Sequence, residues 1–252
     1  MRAALYAVSA MARGPLWPLP AVSGLCWIAL AALISSSPLI HICGGPVRWA
    51  MLLPYGPSSI LFPQLAFDLL MLGAMMSPLL AHDLACVRRQ SLAARRGRAT
   101  VLFVLGYLTP WMGALFCLSA LSGLLARSLR SDLAGLAFTL GLGLVWQGTP
   151  MKAMALRACH RTPALPTFGA RAELASFTYG LTSAAWCVAA CWLWMLAPLT
   201  WAAGHLWLML GAFAVMLGER YARPPQVRMR TAWTGAGVVV AAAAVSVAHL
   251  GG

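Results

Sequence analysis

Acidic residues are scarce: five Asp and Glu stand against eighteen Lys and Arg in 252 residues, for a formal net charge of +13. So few carboxylates leave almost no material for paired-carboxylate catalysis, in which an acid and a base flank the reacting bond. Charge of either sign is rare, at 9% of the chain, where a soluble domain carries about 25%. A water-facing surface cannot be covered with that little charge. Common enzyme signatures are missing too: there is no GxSxG, no P-loop, no HExxH and no CxxC. On these absences the chain is expected not to be an enzyme.

What the chain has in abundance is apolar residues, 61% of the total. They recur in runs of about 20, the length that crosses a hydrocarbon core of about 30 Å. A closed barrel would show short alternating segments instead. The expected class is therefore all-α, a polytopic helical membrane protein of about seven transmembrane helices. The spans fall at about 18–39, 63–84, 99–125, 133–150, 175–196, 201–217 and 231–250. The chain reads as one integral membrane domain, 1–252, with an N-terminal span and external loop (1–62), a core (63–230) and a C-terminal span (231–252).

The basic excess suggests nucleic acid until its placement is considered. The cations are confined to loops between spans, as membrane orientation requires, and no nucleic-acid partner is expected. With seven spans, fifteen of the eighteen cations fall on one side, and Arg48, Arg127 and Arg130 lie opposite. That side is the cytoplasm by the positive-inside rule, so the N terminus is cytoplasmic. The span at 133–150 is short, yet without it Lys152, Arg157, Arg161 and Arg171 would face away from Arg88, Arg89, Arg95, Arg96 and Arg98. Eleven Trp, many near span ends, suit an interfacial belt. The expected location is a bacterial inner (plasma) membrane, multi-pass, with the lipid bilayer as the first partner.

Seven cysteines are an odd count in a chain with ample core, which argues against a disulfide framework. Cys187, Cys191 and Met195 are spaced i, i+4, i+8 and so share one helical stripe. Thiolate and thioether sulfurs together suit a soft ion, Cu(I) above all, although Cys and Met also serve as ordinary core residues. Met71 and Met75 share a face of the second span, and His82 and Cys86 share a face at its end. His and Cys at that spacing can ligate one metal, but two ligands do not make a site. Cys159 and His160 stand in the basic central link. Asp68 and His205 are ionisable groups near membrane depth, which are costly there.

Five motifs then fall in order: AMMSP at 74–78, GYLTPW at 106–111, QGTPMK at 147–152, CVAACW at 187–192 with Met195, and Glu219 with Arg220. Over about 64–225 the chain resembles a bacterial family described as predicted metal-binding integral membrane proteins. The resemblance implies a multi-helix membrane protein with a cysteine-rich metal set. It implies thiols at 155, 159, 187, 190 and 191, of which this chain has Cys159, Cys187 and Cys191, with Ala155 and Ala190 in the other two places. The candidate metal residues are thus Cys159, Cys187, Cys191, Met195, Met75, His82 and Cys86, with copper as the expected metal. Two expectations remain open: a reduced Cu(I) site completed by Met154, Met195 or His160, or a non-catalytic structural or assembly subunit among other membrane-protein subunits that has lost the metal.

Overall fold

Pro78 determines the first departure from a simple row of spans. A computed structural model describes residues 17–36, 57–129, 132–201 and 204–221. All regular structure among them is helical. The expected second span is two helices, α2 (Pro57–Met76) and α3 (Ala81–Gln90), meeting at 83° across a short break. Proline lacks the N–H that would continue the ladder and crowds the preceding turn, so the helix stops there. The Tyr221 hydroxyl donates to the Pro78 carbonyl at 2.8 Å, supplying a partner to an acceptor at the break. A continuous span at 63–84 is therefore corrected to a bent pair.

Helix α1 (Pro18–Ser36) precedes this pair, and α4 (Arg96–Leu129) follows it after a 3₁₀ turn. Next come α5 (Asp132–Gln147), α6 (Pro150–Cys159), α7 (Gly169–Thr200) and α8 (His205–Tyr221). Helix α7, and α4 with its preceding turn, are long and apolar enough to cross a membrane; the bent pair makes a third if counted as one span. At about 1.5 Å per residue they reach about 50 Å, more than a hydrocarbon core needs. Helices α1, α5 and α8, at 19, 16 and 17 residues, are shorter. The last expected span, the leader and Cys43 lie outside the described residues. Val101, Leu105, Phe116 and Leu124 on α4 and Leu25 and Ile28 on α1 point outward, an apolar exterior consistent with a membrane protein.

Helices α4 and α7 form the axis of the fold. They cross where Gly106 meets Gly180: a Cβ on Gly106 would collide with the Phe177 carbonyl oxygen, and one on Gly180 with that of Phe103. Small residues let backbones approach this closely when apolar burial supplies no drive between helices. Phe103, Tyr107, Trp111 and Ala184 fill the seam, and the Phe103 and Tyr179 rings lie 5.2 Å apart.

The central link is held by local chemistry. Thr149 caps α6 by accepting the Lys152 N–H at 3.2 Å, and Pro150 takes the first turn, where a missing N–H costs nothing. The TPxK motif is thus a helix start. One face of α6, carrying Lys152, Ala155, Leu156 and Cys159, is buried. Beyond it, the Gln90 amide brackets the chain, donating to the Pro163 carbonyl at 3.1 Å and accepting the Leu165 N–H at 2.7 Å.

Candidate metal centre

Cys159 comes from the last residue of α6, and Cys187 and Cys191 from successive turns of α7. All three line one buried cavity of about 20 Å³ together with Tyr107, Ala190 and Met216. That is room for one water-sized sphere. The Cys187 and Cys191 side chains lie within hydrogen-bonding reach of each other, and the Tyr107 hydroxyl reaches Cys187. The same hydroxyl lies 3.8 Å from the Met76 sulfur. The six cysteines among the described residues are free thiols.

Two ion pairs border the cavity, and Asp83, Glu219 and Arg220 form part of its wall. Arg220 donates to both Asp83 oxygens at 2.8 Å, while Tyr179 and Ser183 donate to the same carboxylate at 3.1 and 2.9 Å. Arg220 also donates to the Cys159 carbonyl, which ties the end of α6 to α8. Lys152, fully buried, meets Glu219 at 2.8 Å and donates to the Ala190 carbonyl at 2.6 Å. Gln147 donates to the other Glu219 oxygen at 2.6 Å. Each of these four charges thus has an opposite partner and further hydrogen bonds, the condition under which burial of charge is tolerated. Burial, and then the neighbouring Cys187 thiol, push the Cys159 thiol far above its ordinary value of 9.0; Arg220 pulls the other way without prevailing. Burial at this position thus favours the protonated thiol over the thiolate.

The sequence-derived residues separate into two groups. Cys159, Cys187 and Cys191 come together at the cavity. Met195 is buried one turn beyond Cys191, and Met75 is buried in the helix core; neither lines the cavity. His82 is exposed, and Cys86 accepts from Gln90 at 2.9 Å; neither lines the thiol cavity. Asp68 and His205 are buried outside the cavity wall. Among the described residues no three His, Cys, Asp or Glu side chains form a ready metal-ligand group. The cavity wall also carries the Asp83 and Glu219 carboxylates, but these are paired with Arg220 and Lys152. The donors left unpaired by charge are three thiols and the Met216 thioether, a set that favours Cu(I) over harder ions.

Sequence reasoning missed Asp83, Tyr179, Ser183 and Met216, and saw Tyr107 only as part of the GYLTPW motif. The cost of ionisable groups at membrane depth, applied to Asp68, extends equally to Asp83. Glu219, Arg220 and Lys152 were visible as motif positions, but nothing in their spacing pairs them. The two alanines of the motif both turn inward: Ala190 lines the cavity, and Ala155 lies on the buried face of α6.

A family model, PpoB2, described as a copper chaperone, matches residues 65–247. Searches of curated proteins and of solved structures found no match.

Proposed function

The chain belongs to the copper chaperone family, and on that premise we propose that it carries Cu(I) as cargo at the thiol cavity. The observation that carries this reading is the convergence of Cys159, Cys187 and Cys191 on one small buried space beside Met216. Cys187 and Cys191 supply the thiolate pair, Cys159 a third thiol from another helix, and Met216 a thioether. Cu(I) is satisfied by few soft ligands, whereas structural zinc wants four in a tetrahedron. The Met195, Met75, His82 and Cys86 side chains are assigned a supporting part, if any, in cargo binding, since they lie off the cavity. The role is binding and delivery without bond-making catalysis. The chain is a multi-pass protein of the bacterial inner membrane with about seven spans and a cytoplasmic N terminus, a topology supported by its charge asymmetry.

A second reading, a structural or assembly subunit of a larger membrane complex, draws support from one observation. Two motif positions are Ala155 and Ala190, and no ready metal-ligand group exists among the described residues. Anaerobic titration of the purified protein with Cu(I) against a competing chelator separates the two. Retention of Cu(I) that is lost in Cys187→Ser and Cys191→Ser supports the chaperone reading. Equal, weak retention in all forms refutes it.

A further inference from the structure

A second, larger hollow adjoins the thiol cavity. It has a volume of about 660 Å³ and is open to the outside, with Cys159, Arg161, Tyr179, Thr182, Ser183 and Trp186 in its wall. Cys159 and Ser183 line both spaces, whereas Cys187 and Cys191 line the inner cavity and not the outer hollow. One thiol therefore stands at the boundary, with two more behind it. Residues 179, 182, 183 and 186 form a single face of α7, and the chain after α6 supplies the opposite wall. The exposed Arg161 sits in that wall.

We propose that the outer hollow receives Cu(I) as a complex with a small anionic thiol, and that Cys159 is the first residue to take the metal from it. This rests on the chaperone reading and extends it to the form of the cargo and the order of transfer. The volume falls in the range of small-molecule sites, about 300–1,000 Å³, which favours a low-molecular-weight donor over a protein. Arg161 gives the mouth a positive charge that attracts a thiolate complex.

The step balances without a redox partner. In a bis-thiolate complex Cu(I) holds two donor sulfurs. The Cys159 sulfur forms a bond to copper, one donor sulfur–copper bond breaks, and the Cys159 proton leaves on the departing donor thiolate. Copper remains Cu(I). Cys187 or Cys191 then displaces the second donor sulfur in the same way, its proton leaving on that thiolate, and the ion moves into the inner cavity.

The test uses the full chain in detergent or nanodiscs, loaded from the Cu(I)–glutathione complex and, separately, from an uncharged Cu(I) complex. Loading rate is followed by thiolate–copper absorption, and equilibrium retention is measured against a chelator. Arg161→Glu is expected to slow loading from Cu(I)–glutathione by about tenfold or more, with little change from the uncharged complex and none in retention. Arg161→Lys restores the rate. Thr182→Trp, which fills the hollow without touching the inner cavity, slows loading from glutathione and leaves retention unchanged. Loading at the wild-type rate in both Arg161→Glu and Thr182→Trp overturns the proposal alone, as does equal slowing of Arg161→Glu with both donors. Failure of the wild type to retain Cu(I) overturns the chaperone reading, and this proposal with it.

Discussion

Replacing Asp83 by Asn removes one charge from the pair that fastens three helices together. Asp83 opens α3, Arg220 closes α8, and Arg220 also holds the carbonyl of Cys159 at the end of α6. The side chains are 3% and 10% exposed, so solvent screens the pair poorly. Asparagine keeps one acceptor oxygen and presents an amide where Arg220 now finds a second carboxylate oxygen. The guanidinium is then buried without a countercharge, which costs about 3–5 kcal/mol in comparable cases. Tyr179→Phe and Ser183→Ala each remove one hydrogen bond to a charged acceptor, worth about 1.5–3 kcal/mol. The expected order is Asp83→Asn worst, with the other two milder and similar.

Unfolding in detergent, followed by circular dichroism across an SDS titration, measures the three variants against wild type. A double variant, Asp83→Asn with Arg220→Met, removes both charges and is expected to recover part of the loss, because no charge is left buried alone. The coupling between the two sites should fall within about 0.5–3 kcal/mol, as for residues in direct contact. A loss below about 1 kcal/mol in Asp83→Asn would mean the pair behaves like an exposed surface bridge. That result, or a strictly additive double variant, refutes the placement of this pair at the centre of the helix junction.

Two further outcomes follow from the same geometry. Gly106→Ala or Gly180→Ala drives a methyl group into a backbone carbonyl of the facing helix, so both should destabilise by about 1–3 kcal/mol or more, read by the same SDS titration; Gly113→Ala, with open space around it, serves as the control. For Cys159 the sign is set by a folded-state value raised above the ordinary 9.0 by burial. Its contribution to stability is complete below about pH 9 and is lost as pH rises toward the folded value, because the unfolded chain loses a proton that the folded chain keeps. Its share of the fall should approach about 1.4 kcal/mol per pH unit in that range, and Cys159→Ala should make that part of the profile shallower by that share.

Much of the helical class was legible because apolar runs and loop cations are one-dimensional signals. The positions of α4 and α7 were legible in their apolar runs, expected at 99–125 and 175–196, but both helices extend further at each end, to 96–129 and 169–200. The 83° turn between α2 and α3 was not read, although Pro78 stands in the sequence. Proline alone does not decide the matter, since Pro110 and Pro198 sit inside continuous helices of the same protein. The carbonyl of Pro78 takes the Tyr221 hydroxyl, but that of Pro198 likewise meets the His205 ring at 2.8 Å, so a side-chain partner on the carbonyl does not by itself separate the break from the continuous helices. The thiol site was half legible. Helical spacing put Cys187 and Cys191 on one face, but that face also carries Met195, and nothing local says the cavity ends before it. Met216 and Asp83 became visible only through helix packing, which sequence spacing does not encode.

The alanines at 155 and 190 gain a specific meaning from that packing. The resemblance implies thiols at these two positions, and at a surface they would be free to face anywhere. Instead Ala190 forms cavity wall and its carbonyl accepts from Lys152, while Ala155 lies on the same buried face of α6 as Lys152 and Cys159. Small residues there keep α6 close to α7, and that closeness lets a lysine with no exposed surface reach Glu219 on α8. The four charges around the cavity cancel in pairs, and the donors left facing inward are soft sulfurs rather than carboxylates free to bind a hard ion. A space so arranged discriminates by ligand softness more than by charge. On the proposed function, such a cluster suits a monovalent copper ion held by few ligands, and the same scarcity of ligands suits release of that cargo.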